Sequence, residues 1–259
     1  MVDLKDCSVE ELRVMAVAGA EVAECHRVLG KTGDSIVGEA LKGGGTFYQY
    51  NHYPAGDVYD SESHSQYYYH SHRKGEHGHF HTYLRPKGMP FWIKPASVPD
   101  FTPPEGDNDG ISHIVAISMD SYGFPIGLFT TNRWICAETW YKAEDVCAII
   151  DLFEIDHARP SWPLNRWITA MMKLFKPQIT ELLLERDDMV TAWQKRHPQR
   201  NVYEDRELDI TSELRVSLED QIDRINACLT FAEKNGGAPP AAGRTNGRHL
   251  ENPGSGRLA

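Results

Sequence analysis

The sequence predicts an α+β fold: an antiparallel sheet of about five to six strands, with helices before and after it packed on one face. Three observations predict it. Apolar residues recur at helical spacing towards both ends of the chain. Between them the period drops to two, in segments rich in tyrosine and histidine. The order helices, strands, helices, with turn residues between the strands, is that of an antiparallel sheet with helices laid against it.

Each element has its own signal. Ser8 followed by Glu11 is a capping box that opens a helix running to Gly30, with Leu12, Met15, Ala16, Val22 and Leu29 on its apolar side. His26 falls on this helix as a surface or boundary residue. A short second helix ends in the glycines Gly43 to Gly45. "TFYQYNHYP" reads as a first strand, "AGDVYDSES" as a polar loop, "QYYYHSH" as a second strand, "RKGEHG" as a turn and "HFHTYLRP" as a third strand. The Pro- and Gly-rich stretch from Lys87 to Asp109 reads as a long surface loop or lid. "SHIVAISMD" and "FPIGLFTTN" follow as fourth and fifth strands, and "RWICAETW" as a sixth. From Ala143 the helical period returns, with Val146, Ile149, Ile150 and Phe153 in one stripe. Two further helices are divided at Pro177, and a last one starts after Ser217. The expected organisation is therefore a helical segment (1–45), a His/Tyr-rich antiparallel sheet (46–140), C-terminal helices that share its domain (141–235) and a disordered tail (236–259).

Bulk properties narrow the function classes. With 259 residues, 41% of them hydrophobic, the chain can bury a substantial core. Its formal net charge of -10 repels phosphate backbones, so no nucleic-acid partner is expected. The five cysteines are dispersed and form no C-x-x-C, which argues against a disulfide framework and a thiolate zinc knuckle. No signal peptide and no membrane span is legible, so a cytoplasmic protein without a membrane partner is expected.

The chemistry concentrates in one stretch. Seven of the 12 histidines lie between His52 and His81. On a strand, residues two apart share a face. Tyr68, His70 and His72 therefore share one, as do His79, His81 and Tyr83. If the two strands pair with His72 opposite His79, then His70 faces His81 and Tyr68 faces Tyr83. That register gathers four imidazoles, His70, His72, His79 and His81, as metal ligands, while Tyr67, Tyr69 and Phe80 lie behind them in the core. His52 on the first strand and His113 on the fourth are further cofactor-binding positions, with His113 the weaker. Glu76 and His77 belong to the rim, and His64 and His77 are expected in solvent. Converging neutral imidazoles suit Fe, Cu or Zn, and the tyrosines could hold substrate or hydrogen-bond the ligands' second nitrogens.

Two local resemblances bear on this reading. "HSHRKGE", His70 to Glu76, resembles the H-x-H-x-x-x-E metal motif of cupins, which implies two histidines and a glutamate on one metal in a small barrel. "HGHFHTYLRP", His77 to Pro86, is similar to the H-x-H-x-H motif of histidine-triad nucleotide hydrolases and transferases. That resemblance implies His79 as the nucleophile on phosphate.

The expected function is thus a metal-dependent enzyme acting on a small molecule, a mononuclear non-haem oxidoreductase before others. Glu76, Tyr68, Tyr83 and Arg85 are its candidate catalytic residues. A histidine-triad-like nucleotidyl or phosphoryl hydrolase or transferase, with Arg85 as phosphate anchor, is the first alternative. A non-catalytic haem or metal binder is the second. Self-association into a homo-oligomer is left open.

Overall fold

The computed structural model describes residue 4 and residues 7–235. The tail expected to be disordered, 236–259, lies outside the described residues. The chain forms one six-stranded antiparallel sheet with the strands in sequence order: β1 (Tyr53–Tyr59), β2 (Ser65–His70), β3 (Gly78–Leu84), β4 (Ser112–Met119), β5 (Pro125–Thr131) and β6 (Ile210–Arg215). Seven α-helices are found among the described residues: α1 (Val9–Gly30), α2 (Ile36–Leu41), α3 (Arg133–Cys136), α4 (Ala143–Ile149), α5 (Trp162–Leu174), α6 (Lys176–Arg196) and α7 (Leu218–Asn235). The fold class is α+β as expected, with one difference: helices lie on both sides of the sheet instead of on one face. No helix among the described residues is long and apolar enough to cross a membrane.

The capping box opens α1 as its sequence requires: Ser8 Oγ accepts from Glu11 N, and the Glu11 carboxylate accepts from Ser8 N. α5 buries Leu164, Trp167, Ile168, Met171 and Leu174, spaced three and four apart, against one sheet face. On that face Tyr67 Oη donates to Asn165 Oδ1 at 2.6 Å, and the Phe80 ring lies 5.6 Å from that of Trp167. Tyr67, Tyr69 and Phe80 are fully buried there, as the alternation of β2 and β3 predicts. α6 backs the far edge, where Ser212 Oγ donates to Leu182 O at 2.7 Å. The helix division at Pro177 is real: α5 ends at Leu174, and Pro177 sits in the first turn of α6.

Four further expectations need correction. The first strand is Tyr53–Tyr59, so the segment read as a polar loop pairs and most of the segment read as a strand does not. Pro54 has no N–H and is tolerated because β1 is an edge strand. Between Tyr53↔Tyr69 and Val58↔Tyr67 the strand bulges, with Gly56 and Asp57 at positive φ. "RWICAETW" is not a strand. Asn132 Oδ1 accepts from Arg133 N at 2.9 Å, which starts the single turn α3, and Ala137 in the left-handed region ends it. The sixth strand is instead the polar segment Ile210–Arg215, which lies within the stretch expected to hold the C-terminal helices. Thr130 Oγ1 meets Thr211 Oγ1 at 2.8 Å and Ser212 Oγ at 2.6 Å across the β5–β6 pair. The fourth correction is the β2–β3 register. His70 pairs with His79, Tyr68 with His81 and Gln66 with Tyr83, two residues away from the expected alignment. A shift of two leaves every side chain on its expected face.

Candidate metal centre

The loop from Ser71 to His77 sets this register. Gly75 takes φ +90, which a side chain would resist. At Gly78 a Cβ would collide with Tyr69 Oη and the His70 carbonyl oxygen, so only glycine lets β3 begin this close to β2. His70 and His79 then stand directly opposite each other, with their Nε2 atoms 2.7 Å apart. His72 lies two residues past the end of β2, yet its ring centroid is 4.7 Å from that of His70 and 5.0 Å from that of His79. One nitrogen from each of His70, His72 and His79 falls within 4.8 Å of the other two, which makes this group able to hold a metal ion.

Glu76 is not a free rim carboxylate. It closes onto His79 Nδ1, and Arg73 Nη1 lies 3.7 Å from its other oxygen. Burial alone would raise its carboxyl, but hydrogen bonds from His79 and Ser118, with the Arg73 charge nearby, outweigh burial and hold it low. A carboxylate on Nδ1 fixes the His79 tautomer and leaves Nε2 with its lone pair towards His70 and His72. His77 faces away, hydrogen-bonding Tyr69 Oη at 2.7 Å through Nδ1. His77 and His64 are half-buried, short of the expected exposure.

A second group adjoins the first. His81 is 1% exposed, and its Nδ1 lies 2.9 Å from His113 Nε2 and 3.8 Å from Cys136 Sγ. His81, His113 and Cys136 offer three donor atoms within 4.8 Å of one another. A β-bulge places His113 here. Thr82 pairs with Val115, but Tyr83 pairs with His113, so Ile114 is skipped. Without the bulge, His113 would share with Val115 and Ile117 the face that packs on α5. Cys136 arrives from the end of α3, and no spacing in the sequence announces it. Glu138, also unforeseen, accepts from His113 N at 2.8 Å and is fully buried.

The remaining candidates take flanking positions. Tyr83 Oη donates to Tyr68 Oη at 2.9 Å. The Tyr68 ring stands edge-on to His70 at 5.1 Å and tilted to His81 at 5.2 Å. His52 stacks on Tyr68 at 3.6 Å and gives its Nδ1 to Asp57, so it flanks the group without joining it. Arg85 lies at the far end of β3, where its guanidinium donates to Gln66 Oε1 at 2.7 Å and Asn108 O at 2.9 Å. A cavity of about 530 Å³ opens beside the first group, lined in part by Arg73, Lys74, Glu76, Ser118, Phe129 and Glu213.

Burial governs the protonation of the histidines. His70 is pushed down to about 2 by burial and by neighbouring His79, His72 and His52. Burial and His79 lower His72; burial lowers His79 against the opposing pull of Glu76; burial and His79 drive His81 well below the usual range. His113 falls to about 3 through burial and Arg186. The five rings are therefore neutral at pH 7, the form that binds metal without competing with protons. Burial and then Glu138 push the Cys136 thiol up to about 12, and burial lifts Glu138 to about 7.

No curated protein and no solved structure matches the chain. One family does: residues 16–216, which include every strand but none of α7, match the family described as Domain of unknown function (DUF6969). With more than half of its length matched, the chain belongs to this family.

Proposed function

We propose that the protein is a metal-dependent enzyme whose ion is held by His70, His72 and His79, and that it is a mononuclear non-haem oxidoreductase. The observation that carries this reading is the meeting of His70 Nε2 and His79 Nε2 at 2.7 Å while Glu76 occupies His79 Nδ1. Two neutral imidazoles aimed at one point, one of them backed by a carboxylate, form the arrangement that orients a metal-binding histidine. Iron, copper and zinc all accept such nitrogens, and a bound ion of the redox-active kind supplies electron transfer to a substrate.

The redox reading is favoured over hydrolysis because Glu76, the carboxylate at the group, is already committed to His79 and is not free as a base for water. The Tyr68–Tyr83 phenol pair beside His70 and His81 can hold or pass a proton. The adjoining cavity offers room for a small molecule, with Arg73 over the Phe129 ring at 4.1 Å and Phe129 edge-on to His79. A nucleotidyl-transfer role is disfavoured. His79 is wholly buried, its Nε2 is turned to another imidazole, and Arg85 is engaged elsewhere. A bare ion is favoured over haem because His70, His79 and His81 are packed ring against ring.

Elemental analysis of the purified chain, with an optical spectrum, tests the proposal. The expected result is bound iron or copper that is lost in His70→Ala with the fold retained. A chain that carries no transition metal and takes none up from solution would overturn it.

A further inference from the structure

The second group has a feature that the first does not explain. Five buried side-chain polar atoms lack a hydrogen-bond partner among the described residues; one is Oε1 of the Glu138 that accepts from His113 N, and another is His81 Nε2, the ring nitrogen opposite the Nδ1 that meets His113 and Cys136. Two more, Ser112 Oγ and Thr139 Oγ1, are on the chain neighbours of His113 and Glu138. Native interiors pair almost all such atoms, so a concentration of orphans marks a place where an ion or ordered water belongs. The residues here are not a random polar set. They are two imidazoles and a thiol, with a carboxylate adjacent.

We propose that His81, His113 and Cys136 hold a second metal ion of thiophilic character, Zn(II) or copper in type, separate from the ion assigned to His70, His72 and His79. The spacing is close to what such an ion needs. Bonds of about 2.0–2.1 Å to nitrogen and about 2.3 Å to sulfur at tetrahedral angles place the nitrogens roughly 3.3 Å apart and nitrogen roughly 3.6 Å from sulfur. His81 Nδ1 lies 2.9 Å from His113 Nε2 and 3.8 Å from Cys136 Sγ. Shifts of a few tenths of an ångström reconcile the two sets. The donors also differ in kind from those of the first group. One sulfur among nitrogens selects softer ions than an all-imidazole set. On binding, the S–H bond of Cys136 breaks, a metal–sulfur bond forms and the proton leaves to solvent. The thiolate and the Glu138 carboxylate then balance a divalent charge. The ligands come from β3, from the bulge in β4 and from the end of α3, so the ion would tie the short helix to the sheet. The site shares no ligand with the first and stands or falls independently of the proposed function.

Co(II) is the probe, because a thiolate ligand gives it a near-ultraviolet charge-transfer band that imidazole ligands do not. The full chain is stripped with chelator and titrated with Co(II), with bound metal counted by elemental analysis. The expected result is two ions per chain and a charge-transfer band. Cys136→Ser should lower the count to one and abolish the band. His72→Ala should also lower the count to one but keep the band, which separates failure of the first site from failure of this one. Cys25→Ser should change neither. If Cys136→Ser does not fold, His113→Gln keeps the thiol and should weaken the band-forming site by about tenfold or more. Wild-type Co(II) protein without a charge-transfer band would overturn the proposal, as would a folded Cys136→Ser chain that keeps the band.

Discussion

Glu76→Gln is the sharpest test of how the first histidine group works. Glutamine keeps the volume of the side chain and keeps a carbonyl that can accept from His79 Nδ1–H. It removes only the charge. The position is well defined: the Glu76 side chain is 5% exposed and that of His79 is 0% exposed. Two routes give the size of the effect. A hydrogen bond to a charged group contributes about 1.5–3 kcal/mol against about 1 for a neutral pair, so the loss is about 0.5–2 kcal/mol. Removing the partner of a metal-binding histidine costs about 10- to 100-fold in affinity, which is about 1.4–2.7 kcal/mol. The ranges overlap at about 1.4–2 kcal/mol, or roughly 10- to 30-fold in Kd. The assay is competition with a chromophoric chelator for Zn(II) at fixed pH, with circular dichroism to confirm the fold. A Glu76→Gln chain that folds and binds within about twofold of wild type would refute the claim that the carboxylate prepares His79 as a ligand.

Three further outcomes are expected. Gly78→Ala forces a Cβ into Tyr69 Oη and the His70 carbonyl; it should lower stability by about 1–3 kcal/mol in urea unfolding and weaken metal binding with it, and an unchanged midpoint would sink the account of the register. Arg85→Ala should leave metal content and affinity unchanged, since its guanidinium serves Gln66 and Asn108, so a loss of metal would return Arg85 to the site. His26 is held down to about 4 by burial, against an ordinary value of 6.5. The unfolded chain takes up the proton first, so stability is full above about pH 6.5 and falls as the pH drops towards 4. At pH 5 the loss is about 1–2 kcal/mol once partial exposure is allowed for. His26→Gln, which keeps an acceptor for Trp167 Nε1, should flatten that part of the urea-midpoint profile; identical profiles would contradict the assignment.

Much of the fold was legible in the sequence because local signals and packing agree there. The capping box at Ser8, the stripe on α5 and the alternation of β2 and β3 each act over a few residues, and the structure uses all three. The misread elements are those where local pattern and tertiary setting part. Tyr48, Tyr50 and His52 alternate like a strand, yet the Tyr50 N–H is taken by Ser71 O and its ring stacks on His72. β6 carries little hydrophobic signal, because as an edge strand its Thr211 and Ser212 are satisfied by Thr130. α3 is a single turn that an asparagine cap imposes on a sequence rich in strand-forming residues.

For the histidine site the division has one physical cause. A side chain's face on a strand follows from the two-residue period of the backbone, which is local. The sequence by itself therefore determined that His70, His79 and His81 share a face with Tyr68 and Tyr83, and that Tyr67, Tyr69 and Phe80 lie behind. Which residue stands opposite which depends on how the chain closes its loops and where it skips a pairing. Only the tertiary structure decided that His70 meets His79, through a seven-residue loop and a glycine with no room for a Cβ. It alone turned His113 onto the histidine face by a bulge, and carried Cys136 and Glu138 to it from beyond the fifth strand.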